Sequence, residues 1–462
     1  MLKHSIVIGV IGLLLIAACA SSAAPAIPTR VPVNAPSAST PNPAAPVPDN
    51  LPTATSAPIA TLPPTQTPLP TATVPPTAVP ISAEELPTLT AELTKTVSAL
   101  LPPTPTPDSS GVYGPAFEGV SGFPLNVPGS TQQLWAAHTY GLRDFFSDQK
   151  HFITIYAHTG ASWQKVAQYD LDGADYVAPD GVTQVALEPT HIWLELNSGT
   201  GAHGGCYHLL GLTPDGRGLD QSASGCADNP GAGETRDVNG DGQLDVILNQ
   251  TDSYVFCYAC GLRNFHYQVL SWDGQQLAEQ TLQPIPATAP QEVREQGNRA
   301  VALAQAGVWQ GALVAANMGK LLTATDPIAR WDGALIKLHA DAFKEQADNQ
   351  IYPLLANVLY GDYEAALTEM RPLASADLFK RDTVLIKGTI AEGWEDALSQ
   401  WITTTTTSAL TVEPNSAAVY FLRGWAEYIA NPTDPAALSD IEKAAALAPE
   451  DNLFSESAKF LK

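Results

Sequence analysis

Three aspartates and an asparagine stand at alternating positions in Asp237-Val238-Asn239-Gly240-Asp241-Gly242-Gln243-Leu244-Asp245. Side-chain oxygens on every second residue, with Gly242 permitting a tight turn, can converge on one hard cation, and Ca²⁺ takes six to eight oxygens at about 2.3–2.6 Å. Three carboxylates so close in sequence repel one another unless a cation lies between them. The expectation is a calcium-stabilised loop.

The bidentate acid that an EF-hand loop carries three residues further on is absent, because Leu248 stands there. The stretch instead resembles the Asp-x-Asn-x-Asp-Gly-x-x-Asp calcium loops of the FG-GAP repeats in integrin-like β-propellers. That resemblance implies Ca²⁺ held by the side chains of Asp237, Asn239, Asp241 and Asp245 and by the Gln243 carbonyl. A degraded copy, Asp170-Leu171-Asp172-Gly173-Ala174-Asp175, is interrupted before Asp180. A closed ring of that family needs about seven blades, more than residues 111–286 can supply. The expected fold there is antiparallel and all-β, either propeller-like blades or compact sheets, and not a closed ring.

Cys206, Cys226, Cys257 and Cys260 fall in the same region. In an oxidising compartment an even set reads as two disulfides, with Cys206–Cys226 and Cys257–Cys260 the preferred pairing. A four-cysteine zinc site is the alternative. Cys257-Tyr258-Ala259-Cys260 has redox spacing but ends an expected strand rather than opening a helix, which removes the usual means of lowering a thiol pKa. Of the nine histidines, seven lie here (His138, His151, His158, His191, His203, His208 and His266), and no two have the spacing of a metal pair. Ser198 to Gly205 is glycine-rich but precedes a strand, so it reads as a hairpin loop and not a phosphate cradle.

The elements that must position these residues follow from hydrophobic period. Phe152–Tyr156, Ile192–Leu196, Tyr254–Tyr258 and Tyr267–Leu270 read as strands from their β-branched and aromatic content, with turn residues between them. Asp180–Leu187 aligns with Asp241–Leu248, 61 residues later, which suggests repeated blades. After Pro284-Ile285-Pro286 the period becomes helical and alanine abundant. Gly307-Val308-Trp309-Gln310-Gly311-Ala312-Leu313, Gly361-Asp362-Tyr363-Glu364-Ala365-Ala366-Leu367 and Gly393-Trp394-Glu395-Asp396-Ala397-Leu398 share one pattern, and Asn431 to Leu438 is a looser copy. These resemble the tetratricopeptide repeat, whose 34-residue unit turns at Gly-x-[Tyr/Trp] and packs through Ala-Leu. The resemblance implies an α-solenoid over residues 287–462 with an aromatic capping each turn, and Thr403–Thr407 reads as an insertion.

The chain opens with Lys3, an apolar run from Ile6 to Ile16, and Ile16-Ala17-Ala18-Cys19. Charge, apolar length and small residues before the cysteine are those of a signal peptide, and the run is too short to span a bilayer, which takes roughly 20 residues. The tetrapeptide resembles the lipobox of bacterial lipoproteins, which implies lipidation at Cys19 after removal of residues 1–18. Residues 19–110 read as a disordered Pro/Thr-rich stalk: 22 of the chain's 39 prolines lie between Ala24 and Pro107, and such a segment buries too little apolar surface to order itself. Within it, Leu86, Leu89, Leu93, Val97 and Leu100 recur at helical spacing. The net charge of −24 falls on the rest of the chain and disfavours nucleic acid and anionic lipid as partners.

These readings combine into a lipid-anchored binding or scaffolding protein on the extracytoplasmic face of the cell membrane. Its membrane contact is the anchor alone, and its helical repeats engage another envelope or extracellular protein. The rival is an extracellular enzyme or carbohydrate-binding protein acting on envelope polymers. No Ser/His/Asp order, HExxH or paired-carboxylate pattern favours an enzyme.

Overall fold

The structure, a computed structural model, describes residues 86–99, 117–127, 132–143, 150–159, 162–200, 204–212, 218–227, 231–251, 255–257 and 260–462. The expected signal peptide, Cys19 and most of the expected stalk lie outside the described residues. An antiparallel β region is followed by a helical one, as the hydrophobic periods require.

Strands β1 (Gly119–Leu125), β2 (Leu134–Leu142), β3 (Phe152–Thr159), β4 (Ser162–Asp170), β5 (Tyr176–Val185), β6 (Ile192–Thr200), β7 (Gly204–Leu212) and β8 (Leu219–Ala227) form one sheet. Its order is β4-β3-β2-β5-β6-β7-β8, with β1 also paired to β2. Alternate residues of every strand point to opposite faces. One set, including Ile153, Ile155, Val177, Leu194, Leu196 and Leu210, gathers into a single core drawn from the whole sheet, so the sheet curls around it as a half-barrel. The end strands β4 and β8 meet through a hydrogen bond from the Tyr169 hydroxyl to Gln221 Oε1 at 3.0 Å. Among the described residues no backbone ladder closes them.

The outer face has two covers. Helix α1 (Leu86–Ser98) seats Leu93 and Val97 on Trp135, Ala137 and Tyr156, so this part of the expected stalk belongs to the folded unit. The second cover is a four-stranded sheet, β9 (Gly233–Arg236), β10 (Asp245–Asn249), β11 (Tyr267–Trp272) and β12 (Leu277–Gln280), ordered β12-β11-β10-β9. Its Val246 and Leu248 pack on Trp193, Tyr207 and Leu209. The 61-residue repeat is not structural: Asp180–Val185 lies within β5, whereas Asp241–Leu244 is loop that leads into β10.

Ten helices follow: α2 (Gln291–Gln305), α3 (Trp309–Met318), α4 (Pro327–Asp348), α5 (Pro353–Tyr360), α6 (Tyr363–Thr368), α7 (Ser375–Leu378), α8 (Glu395–Leu410), α9 (Ala417–Ala430), α10 (Pro435–Leu447) and α11 (Asn452–Phe460). Their starts follow capping chemistry. Asp326 before Pro327 and Asp434 before Pro435 each accept a backbone N–H of the first turn, satisfying a donor the helix cannot. Thr403–Thr407 is not an insertion but lies inside α8. The threonine run is accommodated because the buried Thr406 hydroxyl bonds the Ile402 carbonyl at 2.6 Å.

Helix α4 joins the two regions. Asp332, His339 and Gln346 recur every seven residues, on one face two turns apart, and all three are buried. Each satisfies backbone in or beside the small sheet. Gln346 accepts from Arg263 N at 2.5 Å and donates to Arg263 O at 2.9 Å. His339 Nε2 accepts from Tyr267 N at 3.3 Å while its Nδ1–H donates to Leu335 O at 2.9 Å. A pure donor on one nitrogen and a pure acceptor on the other fix the neutral tautomer, and burial holds the pKa below the usual histidine value. Asp332 Oδ1 accepts from Gln283 N at 2.9 Å. Val255 and Phe256, expected in a strand, instead form a bend whose side chains enter the helical core, and Val255 O accepts from Trp401 Nε1 at 3.2 Å. The helical region therefore draws part of its core from residues before 287.

Asp332 makes a pH dependence testable. Burial, its largest cause, raises its pKa from 3.8 to about 7, and Oδ2 has no hydrogen-bond partner. A raised carboxyl contributes stability that is full below the unfolded pKa and is lost as pH rises through about 7. Asp332→Asn, which keeps the acceptor for Gln283, should be more stable than the parent by about 1–3 kcal/mol at pH 8 and equal to it at pH 4. Urea unfolding at the two pH values measures this; a less stable variant at pH 8 would contradict it.

Candidate functional site

The Asp237–Asp245 loop links β9 to β10 and is held by its own side chains. Asp237 accepts from the N–H groups of Gly240 at 2.7 Å and Gly242 at 2.9 Å. Asn239 Oδ1 accepts from Asp241 N at 2.8 Å, and Asp241 Oδ1 from Gln243 N at 2.9 Å. Gly240 and Gly242 sit at φ +76° and +89°, conformations that side-chain-bearing residues disfavour. Asp245 is buried, and its Oδ2 accepts from Val238 N at 2.9 Å. Burial first, and then the charges of Asp241 and Asp237, raise its pKa to about 6. The donor set is hard oxygen, as Ca²⁺ requires, and Asp245 lacks a compensating positive charge. Among the described residues, however, no three His, Cys, Asp or Glu side chains are grouped closely enough to hold a metal ion. A cation at this loop would have to draw the carboxylates together. In the degraded copy, Asp172 and Asp175 are engaged by Lys150 and Arg143 instead.

Cys206 and Cys226 face each other in register across β7 and β8 and stand at disulfide distance. Cys257 and Cys260 form the second such pair, three residues apart. The four thiols are thus paired two by two on separate elements, an arrangement unlike a four-cysteine zinc centre. Of the histidines, His138 and His151 are buried on β2 and just before β3, and burial lowers both pKa values, that of His138 to about 4. They are neutral packing residues. His203 lies outside the described residues.

A further cluster, assembled only by the fold, surrounds Glu188. Its carboxylate accepts from Thr190 N at 2.7 Å, from the Thr190 hydroxyl and from Trp193 Nε1 at 3.3 Å, and it pairs with His191 Nδ1. Burial pushes its pKa up, but the Thr190 bonds and His191 outweigh this and hold it at about 2. The rings of His191 and Trp193 lie against Trp272 of β11. The spacing Glu188-x-x-His191-x-Trp193 was visible. Its partner Trp272, from another sheet, was not.

In the helical region Gly307, Gly361 and Gly393 all take left-handed conformations at φ +77°, +84° and +82°, so the three motif copies are turns of one kind. Two of them stack. A Cβ on Gly361 would lie 2.8 Å from Val308 Cα and 3.2 Å from Trp309 N, and Gln310 Nε2 donates to Asp362 Oδ2 at 2.5 Å. The aromatic after the turn is buried at Tyr363 but is 45% exposed at Trp394, where no helix immediately precedes the turn. A cleft between α6, α9 and α11 is bordered by Arg371, which bridges Glu364 and Asp451.

No family model, no curated protein and no solved structure matches this chain. Its function is read from its own chemistry.

The Glu188 cluster yields a stability prediction. A depressed carboxyl contributes stability that is present above its ordinary pKa of 4.5 and is lost as pH falls through about 2. Glu188→Gln should cost about 1–2 kcal/mol at pH 7, with the difference from the parent closing between about pH 4 and pH 2. Thermal unfolding across that range tests this, and a pH-independent difference would refute the ionic origin.

Proposed function

We propose that this chain is a lipid-anchored binding and scaffolding protein of the extracytoplasmic membrane face, whose helical region engages another envelope or extracellular protein. The observation that carries the reading is the stacking of the Gly361-Asp362 turn on the Val308-Trp309 turn. Hairpins that repeat one turn and stack through it build an extended surface suited to a protein or peptide. The similarity to tetratricopeptide repeats belongs to this proposal. Two cysteine pairs at disulfide distance support an extracellular setting, and the −24 net charge supports a partner that is neither nucleic acid nor anionic lipid. Among the described residues no helix is long and apolar enough to cross a membrane. Attachment through Cys19 is proposed on the lipobox-like Ile16-Ala17-Ala18-Cys19.

The anchor is tested by Cys19→Ser. The variant should move from the membrane fraction to the soluble fraction, and unchanged partitioning would remove the lipid attachment from the proposal.

Calcium enters the proposal through Asp237, Asn239, Asp241, the Gln243 carbonyl and Asp245. Binding should stabilise the β region by about 2.7 kcal/mol at a hundredfold excess over the dissociation constant and should weaken below about pH 6, where Asp245 holds a proton. Chelation should lower the melting temperature, Mg²⁺ should replace Ca²⁺ poorly because it demands tight octahedral geometry, and Asp241→Ala should abolish the shift. Calorimetry with no heat at millimolar Ca²⁺ would reduce the loop to a self-capped acidic turn.

A further inference from the structure

The outer face of the half-barrel holds a recess of about 400 Å³ where the small sheet overhangs β6–β8, a volume within the range of small-molecule sites. Its floor is a cross-strand row: Trp193 of β6 is in register with Gly211 of β7, and Gly211 with Asp220 of β8. Its wall is the β11–β12 hairpin, with Trp272 at the end of β11 and Gln276 in the turn. That turn is rigid, because the Asp273 carboxylate accepts from the N–H groups of Gln275 and Gln276 at 2.8 Å each.

Glycine on the floor has a specific reason. A Cβ at position 211 would stand 3.0 Å from Trp193 Cζ3, closer than carbon atoms pack. The missing side chain lets the indole spread across the neighbouring strand. The Trp193 and Trp272 rings meet edge to face at 5.6 Å, and His191 lies 6.0 and 5.8 Å from them. Rings in contact leave no gap for a cation between their faces, so this is a continuous aromatic step rather than a cage. Glu188, behind the step, spends its carboxylate on Thr190, His191 and Trp193 and is not a counter-ion for a ligand.

Charge narrows the ligand further. The described residues that line the recess include Asp220 and no lysine or arginine, and the chain carries −24 overall; an anionic ligand would be repelled. The required molecule has an apolar ring face for the indole and a rim of neutral donors and acceptors. The Asp220 carboxylate can accept two hydroxyl hydrogens, and the Gln276 amide can both donate and accept.

We propose that this recess binds a neutral pyranoside of about disaccharide size, one ring face lying on Trp272 and its hydroxyls meeting Asp220 and Gln276. The site lies wholly in the β region, so it stands or falls independently of the partner proposed for the helices. The test is titration of the full-length protein in detergent with cellobiose, chitobiose and maltose, followed by tryptophan emission and calorimetry. Choline chloride serves as the arm for a cationic ligand. At least one disaccharide should bind saturably with a dissociation constant at or below roughly 10 mM, and binding should weaken about tenfold or more in Asp220→Ala and in Gln276→Ala. Both residues are exposed, so these variants should keep the parent melting temperature. Gly211→Val should abolish binding by displacing the indole. The proposal is overturned if no disaccharide gives a saturable response, if choline binds in their place, or if neither exposed variant changes the affinity.

Discussion

Backbone groups that helices and strand ladders leave over must still find hydrogen-bond partners, and beside the small sheet α4 supplies them. Asp332, His339 and Gln346 form a polar stripe that reads the chain at Gln283, Tyr267 and Arg263. Without that stripe the amides of Arg263, Tyr267 and Gln283 would lose the side-chain acceptors they have here. The stripe also fixes depth, because Leu335 and Trp331 beside it pack on Ile247 and Val269 of the small sheet. The rest follows from this seating: the bend at Val255 and Phe256 reaches the helical core, the Cys257–Cys260 pair brackets the chain beyond it, and Trp401 of α8 bonds Val255 O. The β and helical regions thus share one core at their junction.

The small sheet is consequently a two-faced layer. One side of β10 and β11 meets α4, while Val246 and Leu248 on the other side meet the outer face of β6–β8. Strand alternation makes this double burial possible, and it explains why the three central residues of β10, Val246-Ile247-Leu248, are a continuous apolar run. The recess beside Trp272 lies where this layer ends and its hairpin projects beyond the strands it covers.

Fold class was legible because each region obeys one period. Phe152–Tyr156 and Ile192–Leu196 are strands by composition alone, and the Asp-Pro boundaries announce α4 and α10 through capping chemistry that needs no tertiary context. Other features depended on distant partners. Val255 and Phe256 are excellent strand residues, but the helical core outbid the sheet for them. The resemblance of Asp180–Leu187 to Asp241–Leu248 is one of composition alone, since the first begins at an irregularity within β5, where the register shifts between Val177 and Val182, and the second begins in the loop before β10. Thr403–Thr407 reads as an insertion until Thr406 is seen bonding its own preceding turn within α8. The stripe at 332, 339 and 346 was the least legible, since polar residues two turns apart ordinarily mark a solvated face. Of the candidate site residues, the Asp237–Asp245 loop was visible as a motif, whereas the aromatic recess required two sheets to be assembled first.

Helix α1 gives the fold a mechanical entrance. Any tension on the chain before Leu86 reaches the half-barrel first through Leu93 and Val97, which rest on Trp135 and Tyr156, and only afterwards through the β1–β2 ladder. The apolar side chains of α1, Leu89 among them, resist by contact area, whereas the seven paired positions of β1 resist by cooperative hydrogen bonding. The helix is therefore the softer spring in series with a stiffer one. Its release frees residues 86–99 from the sheet, on the order of 50 Å when extended, before the sheet itself is strained.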